Sequence, residues 1–224
     1  MKYLIRLSIV LIICTMSTEL FAQNFGIKGG LNLSKILAKD NEDDYSEYYK
    51  MKPGFHLGPT AEFPLADRLS FETGLLLSTK GYRISEEETY DGETYKLEGT
   101  ANLLYLDIPL NSRAWIDLNG MKIYGVFGPY LGIGLSGKSI YKYTYDGQTE
   151  TDEEDIAWGS DEDNDDVKRL DFGITIGAGI EIYYFQIGLT YGLGLVNISA
   201  YTDNSSLIKN RALGVSVGYK FGGK

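Results

Sequence analysis

Eight stretches of the chain alternate residue by residue, one parity of each almost wholly apolar and the other holding nearly every charge. The clearest is 170–182. There Leu170, Phe172, Ile174, Ile176, Ala178, Ile180 and Ile182 share one parity, and Asp171, Gly173, Thr175, Gly177, Gly179 and Glu181 share the other. A period of two puts successive side chains on opposite faces of a strand. The other predicted strands are 24–36, 54–65, 69–82, 102–116, 121–136, 184–196 and 210–221. Only Lys35 and Arg211 fall on the apolar parity, both at strand ends, where a long side chain can reach past an apolar zone. A Lys or Arg at the middle of a bilayer costs about 2–4 kcal/mol, and the middles of these apolar faces carry none.

Tight and long connections take turns. Ala66–Arg68, Asp117–Gly120 and the Tyr183-Tyr184 junction are tight, whereas 39–52, 83–101, 137–169 and 197–209 are long. In hydrocarbon every backbone group must find its partner within the protein, which a closed barrel of such strands achieves. The pattern therefore predicts an all-β fold: an eight-stranded antiparallel up-and-down transmembrane β-barrel with short periplasmic turns, long extracellular loops and both termini periplasmic. Pro59, Pro64, Pro109 and Pro129 fall inside strands and bring no N–H to the ladder, so bulges are expected there.

Lys2 and Arg6 lead into the apolar run 7–13, broken only by Ser8, and Leu20-Phe21-Ala22 ends on a small residue before Gln23. This is the layout of a secretory signal, residues 1–22, cleaved after Ala22, with 23–224 as one outer-membrane barrel domain. The run is too short for the ~20 residues of a spanning helix. Cys14, the only cysteine, lies inside the signal behind Ile12-Ile13 rather than behind the small residues of a lipoprotein site. The exported part has 19 basic and 30 acidic residues, a net charge of −11. That balance excludes nucleic acid, whose binding depends on Lys and Arg neutralising phosphate. The location implied is the outer membrane of a Gram-negative bacterium. The partners implied are its lipids and lipopolysaccharide and an envelope protein, around a monomeric barrel; no cofactor is expected.

The inward parity holds Lys28, His56, Glu62, Glu72, Lys80, Asp107, Arg113, Lys122, Arg169, Asp171, Glu181 and Lys220. Eight strands enclose a space just wide enough for side chains, and an unpaired buried charge costs several kcal/mol. Glu62, Glu72, Lys80, Asp107, Arg113, Lys122, Asp171 and Glu181 are therefore expected to pair as an ion-pair plug. The competing reading is a narrow solute path through a rearranging network. His56 is the sole histidine and a candidate general base, yet no sequence signal joins it to a serine, so it reads as part of the plug or rim. The third long loop carries Glu150, Asp152, Glu153, Glu154, Asp155, Asp161, Glu162, Asp163, Asp165 and Asp166. Like charges in such runs repel, and a solvated, flexible loop is expected. The stretch from Asp161 to Asp165 begins like a calcium loop, but Asp166 stands at the sixth position and Phe172 at the twelfth, where Gly and Glu are required. Asp161, Asp163 and Asp165 remain weak candidates for a divalent ion shared with lipopolysaccharide phosphates; no other metal and no catalytic residue is assigned. Gly132–Gly137 matches dinucleotide glycine spacing but opens no helix and is a chance match.

Four pieces carry a resemblance: 26–34 (GIKGGLNLS), Tyr105-Leu106-Asp107-Ile108-Pro109, Gly128-Pro129-Tyr130-Leu131-Gly132 and the Val217-Gly218-Tyr219-Lys220-Phe221 ending. Through them nearly the whole exported part resembles the PorT-like outer-membrane β-barrel family of Bacteroidetes. The resemblance implies an eight-stranded barrel in which the Ile-Pro and Gly-Pro-Tyr prolines are habitual. It names no activity, although one branch of that family serves a secretion system. Three function classes follow: a non-enzymatic structural, assembly or surface-interaction protein as the leading expectation, a narrow small-solute or ion channel as the alternative, and a barrel enzyme last.

Overall fold

In the computed structural model, which describes residues 24–41, 43–90, 93–201 and 206–221, every alternating stretch forms strand. The segment read as a signal peptide lies outside the described residues. The strands are β1 (Asn24–Lys39), β2 (Lys52–Ala66), β3 (Leu69–Gly74), β4 (Leu76–Tyr90), β5 (Glu93–Leu118), β6 (Met121–Tyr145), β7 (Gln148–Asp155), β8 (Leu170–Ile182), β9 (Phe185–Gly194) and β10 (Leu207–Phe221). All ten belong to one antiparallel sheet. Its pairings form a circuit: β1 with β2, β2 with β3 and β4, these with β5, then β6, β8, β9, β10 and back to β1. β7 stands off this circuit as the hairpin partner of β6.

Ten strands where eight were expected have two local causes. The stretch 69–82 is split at Leu75 into β3 and β4. Register is unbroken across the gap, since Gly74 pairs Thr60 and Leu77 pairs Leu57, while Thr73 pairs Leu110 and Leu76 pairs Asp107. Leu75 N–H donates to the Pro59 carbonyl at 3.0 Å, but Pro59 has no N–H to return, so half of the exchange is missing. Of the four expected proline bulges only the one at Pro64 forms, and Pro109 keeps register with Tyr130. Only Pro64 sits at a register shift, between Pro64 and Ala66, whereas Pro59 and Pro129 keep register with Ile27 and Ile174. A further shift, at Leu104/Tyr105, involves no proline.

The second cause lies in the expected long loops. Residues 83–101 continue β4 and β5 until Tyr90 pairs Glu93. β6 likewise runs on to Tyr145 and folds back as β7 through Asp146 and Gly147, at φ of 48° and 72°, the signs required by a type I′ hairpin turn. Glu150, Asp152, Glu153, Glu154 and Asp155 are therefore strand rather than flexible loop. Water on both sides of this extension removes the need for an apolar face, and Lys138 meets Glu153 across the ladder at 2.9 Å.

Within the ring the usual order of burial is inverted. Phe25, Ile27, Leu31, Phe55, Leu57, Leu75, Phe127, Ile176, Leu189, Val215 and Val217 are exposed, while Glu62, Glu72, Lys80, Arg113, Asp171 and Glu181 are buried. A contiguous apolar band of this extent calls for hydrocarbon around it. The buried apolar residues Ile36, Leu103, Tyr105 and Ile198 gather at the long-loop end, where the return from β7 folds across. There Trp158 packs edge-on against Tyr105, with ring centroids 5.5 Å apart. It lies so close to Gly134 that a Cβ at that position would meet the indole at 2.2 Å. At the other end the connections after β2, β6's predecessor β5, and β8 are tight, with Asn119, Gly120 and Tyr183 at positive φ.

The two faces make opposite demands on one strand. Ile176→Arg is expected to lower stability in lipid vesicles by about 2–4 kcal/mol, and Ile176→Leu by less than about 1.5 kcal/mol, read from denaturant midpoints. A tolerated arginine at 176 would show the faces reversed.

Candidate functional site

Strand parity delivers the charges to the interior, and two clusters form there. Near the tight-turn end Arg113 on β5 is fully enclosed. Its Nη1 reaches both oxygens of Glu62 on β2, at 3.0 and 2.9 Å, and its Nη2 reaches Glu181 Oε2 on β8 at 2.6 Å. Lys220 on β10 touches the same two carboxylates, at 2.6 Å to Glu62 and 2.7 Å to Glu181. Ser70 Oγ donates to Glu62 at 2.7 Å and Gln186 Nε2 to Glu181 at 2.9 Å. Each carboxylate thus accepts from three or more donors, which is what makes a buried ion tolerable. The guanidinium also lies 4.1 Å from the Tyr124 ring centre, a cation–π contact. Beside this cluster Lys28 and Glu72 pair at 2.5 Å. Lys122 reaches Glu181 at 3.5 Å from a side chain 39% exposed.

The second cluster lies toward the long-loop end. Lys80 on β4 donates to Asp107 Oδ1 at 2.8 Å and to Asp171 Oδ2 at 3.0 Å, and sits 4.6 and 4.5 Å from the Tyr105 and Tyr130 ring centres. Asp171, with no exposed surface, also accepts from Tyr130 OH at 3.2 Å and Asn210 Nδ2 at 2.9 Å. Tyr124 and Tyr130 have room because β8 and β9 present glycines opposite them. A Cβ on Gly179 would meet Tyr124 Oη at 2.4 Å, and one on Gly173 would meet Tyr130 Cε1 at 2.6 Å.

Between the clusters is a cavity of about 120 Å³, lined among others by Asn32, His56, Asn111, Thr190 and Gly214. Asn111 Oδ1 and Asn210 Oδ1, both at its walls, have no protein partner among the described residues; a space of this size with such polar atoms at its otherwise mostly apolar walls accommodates water. His56 Nδ1 is 2.7 Å from Asn32 Oδ1, and Asn32 Nδ2 donates to Ser78 Oγ at 3.1 Å. The amide, not the imidazole, holds the serine, so the base-to-nucleophile contact of hydroxyl catalysis is not made.

All eight charges singled out from sequence lie in or beside these clusters. Sequence parity did place Lys28 and Lys220 inward but did not assign them to the network, and it missed the tyrosines at 105, 124 and 130 and the amides at 32 and 210. Their signal was inward parity opposite a glycine stripe. The three acidic loop candidates do not converge on an ion. Asp161 accepts from Asp163 N–H at 3.1 Å and Asn164 Nδ2 at 3.0 Å, and Asp165 Oδ2 accepts from Asp161 N–H at 2.8 Å. The Asn164 amide and then the Asp163 N–H hold the Asp161 carboxyl below its ordinary range. Among the described residues no group of three metal-ligating side chains comes together.

A family model described as the outer membrane protein beta-barrel domain matches residues 21–200. The chain belongs to that family. No curated protein matches it. Solved barrels of the outer membrane are similar at low identity. Ail, the attachment invasion locus protein of Yersinia pestis, is 16% identical over 90% of this chain and 100% of its own, with a TM-score of 0.36. OprG of Pseudomonas aeruginosa is 12% identical over 90% and 97%, with a TM-score of 0.39. Neisserial surface protein A is 13% identical over 88% and 97%, with a TM-score of 0.35. Within the outer membrane family, the function of this member has to be argued from its own interior and surfaces.

Two bonds to one carboxylate separate burial from charge. Arg113→Ala is expected to destabilise the folded protein by about 3–5 kcal/mol, because it leaves buried carboxylates short of a counter-charge. Lys122→Ala, at the exposed side of the same Glu181, is expected to cost less than about 1 kcal/mol. Equal effects in equilibrium unfolding would place water throughout the cluster.

Proposed function

We propose that this protein spans the outer membrane of a Gram-negative bacterium as a sealed, monomeric barrel of eight staves and acts through its surfaces, without catalysis or transport. The staves are β1, β2, β3 with β4, β5, β6, β8, β9 and β10. The tight-turn end, where β1 begins and β10 ends, is periplasmic, and the long-loop end with the β4–β7 extension is extracellular, after export by a cleaved signal peptide. The observation that carries the reading is the reach of Arg113 from β5 to Glu62 on β2 and Glu181 on β8. One side chain ties three separate walls across the interior. Lys80 does the same between Asp107 and Asp171, and the Trp158 return covers the outer mouth. Eight staves leave space for side chains and little else.

A structural, assembly or surface-interaction role follows, with the membrane's lipids and lipopolysaccharide and an envelope protein as partners. The PorT-like resemblance supports this and adds a secretion-associated role as the finer possibility. The cavity between the clusters favours one second reading, a narrow channel for small solutes or ions, which would require both clusters to open.

Planar bilayers test the choice. Wild-type protein that migrates differently on cold and boiled denaturing gels, and is therefore folded, is expected to give no steady current. Steady, ion-selective conductance that reverses selectivity on Lys80→Glu would establish the channel reading instead.

A further inference from the structure

Three cations stand together on the outward face of the extracellular extension, and the carboxylate in their cleft, Glu98, is held by Lys96 instead. The outward parity of β4, β5 and β6 can be followed row by row away from the apolar band. Leu77–Leu106–Ile133 comes first, then Thr79–Leu104–Ser136, then Asn102 with Lys138, then Arg83–Thr100–Ile140, then Ser85–Glu98–Lys142. Apolar side chains dominate up to Leu104, and the cations begin immediately beyond. Lys50, from the segment before β2, joins them because its backbone pairs with that of Arg83: Lys50 N–H donates to Arg83 O at 2.7 Å, and Arg83 N–H to Lys50 O at 3.2 Å. Lys50, Arg83 and Lys142 are exposed and line one cleft of about 430 Å³ together with Ser85, Thr100 and Glu98.

Three other lysines of this surface have partners: Lys39 meets Asp44, Lys96 meets Glu98, and Lys138 meets Glu153. Of the carboxylates on this face, Glu98 is engaged by Lys96 and Glu153 by Lys138, while Glu87 and Asp155 stand opposite those same two lysines. Lys50, Arg83 and Lys142 form no ion pair among the described residues, in a chain of net charge −10. Three cations around one cleft whose single carboxylate is already paired with Lys96 leave an excess of positive charge that a bound anion offsets. A guanidinium fork with two ammonium point charges and two hydroxyls is the chemistry that recognises phosphate.

The height of the cleft identifies the source of the phosphate. Rows on one face repeat every two residues, about 6.6 Å along a strand. Two rows beyond Thr79–Leu104, at a strand tilt of about 35–45°, is roughly 10 Å along the membrane normal. We propose that Lys50, Arg83 and Lys142 bind the phosphate groups of a phosphorylated glycolipid, the lipopolysaccharide of the outer leaflet, alongside the barrel wall. The site rests on the reading that this end of the sheet emerges from the outer leaflet. It differs from the acidic-loop site expected from sequence, since the phosphate is held by cations directly and needs no bridging metal.

The test uses detergent-folded full-length exported protein and three probes: bis-phosphorylated lipid A, the same lipid after dephosphorylation, and inorganic phosphate. Native mass spectrometry reads bound lipid, and the cold-versus-boiled gel shift reads folding in parallel. Wild type is expected to retain bis-phosphorylated lipid A at least tenfold more tightly than the dephosphorylated lipid. Joint Lys50→Gln, Arg83→Gln and Lys142→Gln should remove that preference with the gel shift unchanged. Arg83→Gln alone, which serves if the triple variant does not fold, should weaken it several-fold, and Lys142→Arg should preserve it. Equal retention of both lipids by wild type, or an unaltered preference in the folded variants, overturns the site. Inorganic phosphate displacing the lipid at equal concentration overturns the lipid source. A missing gel shift in wild type would instead fail the barrel reading itself, a result separate from any binding outcome.

Discussion

Backbone groups surrounded by hydrocarbon have no water to bond, so the closed circuit of pairings from β1 round to β10 is the constraint from which the other features follow. Once the circuit closes, every ring residue faces either lipid or a narrow shared interior, and alternation assigns the side. Phe25, Ile176 and Leu189 then lose nothing by standing exposed, and Arg113 and Asp171 have nowhere to go but inside. A slip of one residue in any stave would exchange the two sets. The apolar outside and charged inside therefore guard register as strongly as an apolar core does in a water-soluble protein.

The interior charges are tolerable because each is answered more than once. Desolvating an ion costs several kcal/mol, which one contact rarely offsets. Glu62 takes bonds from Arg113, Lys220 and Ser70, and Glu181 from Arg113, Lys220 and Gln186. Tyrosine faces add to both Arg113 and Lys80. The charged groups of this cluster come from β2, β5, β8 and β10, so the bonds brace the ring across its width, a direction that the ladder hydrogen bonds do not cover. The same bracing accounts for the glycine stripe on β8 and β9, which gives the β6 tyrosines a flat wall to lie against.

Alternation made the lipid-facing part of the fold legible. Stretch 170–182 coincides with β8 because both of its faces are under constraint, one from lipid and one from the filled interior. Beyond the membrane that constraint ends. Gln148–Asp155 and the upper parts of β4, β5 and β6 have polar residues on both faces, and period alone could not mark them as strand. Turn chemistry could have done so, since Asp146-Gly147 is a hairpin signal and takes that conformation. Parity also showed which charges point inward, but not that Arg113 meets Glu62 and Glu181. That pairing depends on strand stagger, which no single strand encodes. The role of Pro59 was half legible: its missing N–H was plain, while its outcome, a lapse at Leu75 without a register change, depends on the neighbouring strand.

The most direct measurement of the account is a cysteine scan of 170–182 in lipid vesicles. Residues 23–224 contain no cysteine, so each position substituted in that part of the chain can carry one spin label, read for collision with oxygen dissolved in lipid and with a water-soluble nickel chelate. The account predicts a period of two, with labels at 172, 174, 176, 178 and 180 meeting oxygen and those at 173, 175, 177 and 179 shielded from both. A period near 3.6, the opposite parity, or free access of the nickel chelate to the inward positions would contradict a closed, side-chain-filled barrel.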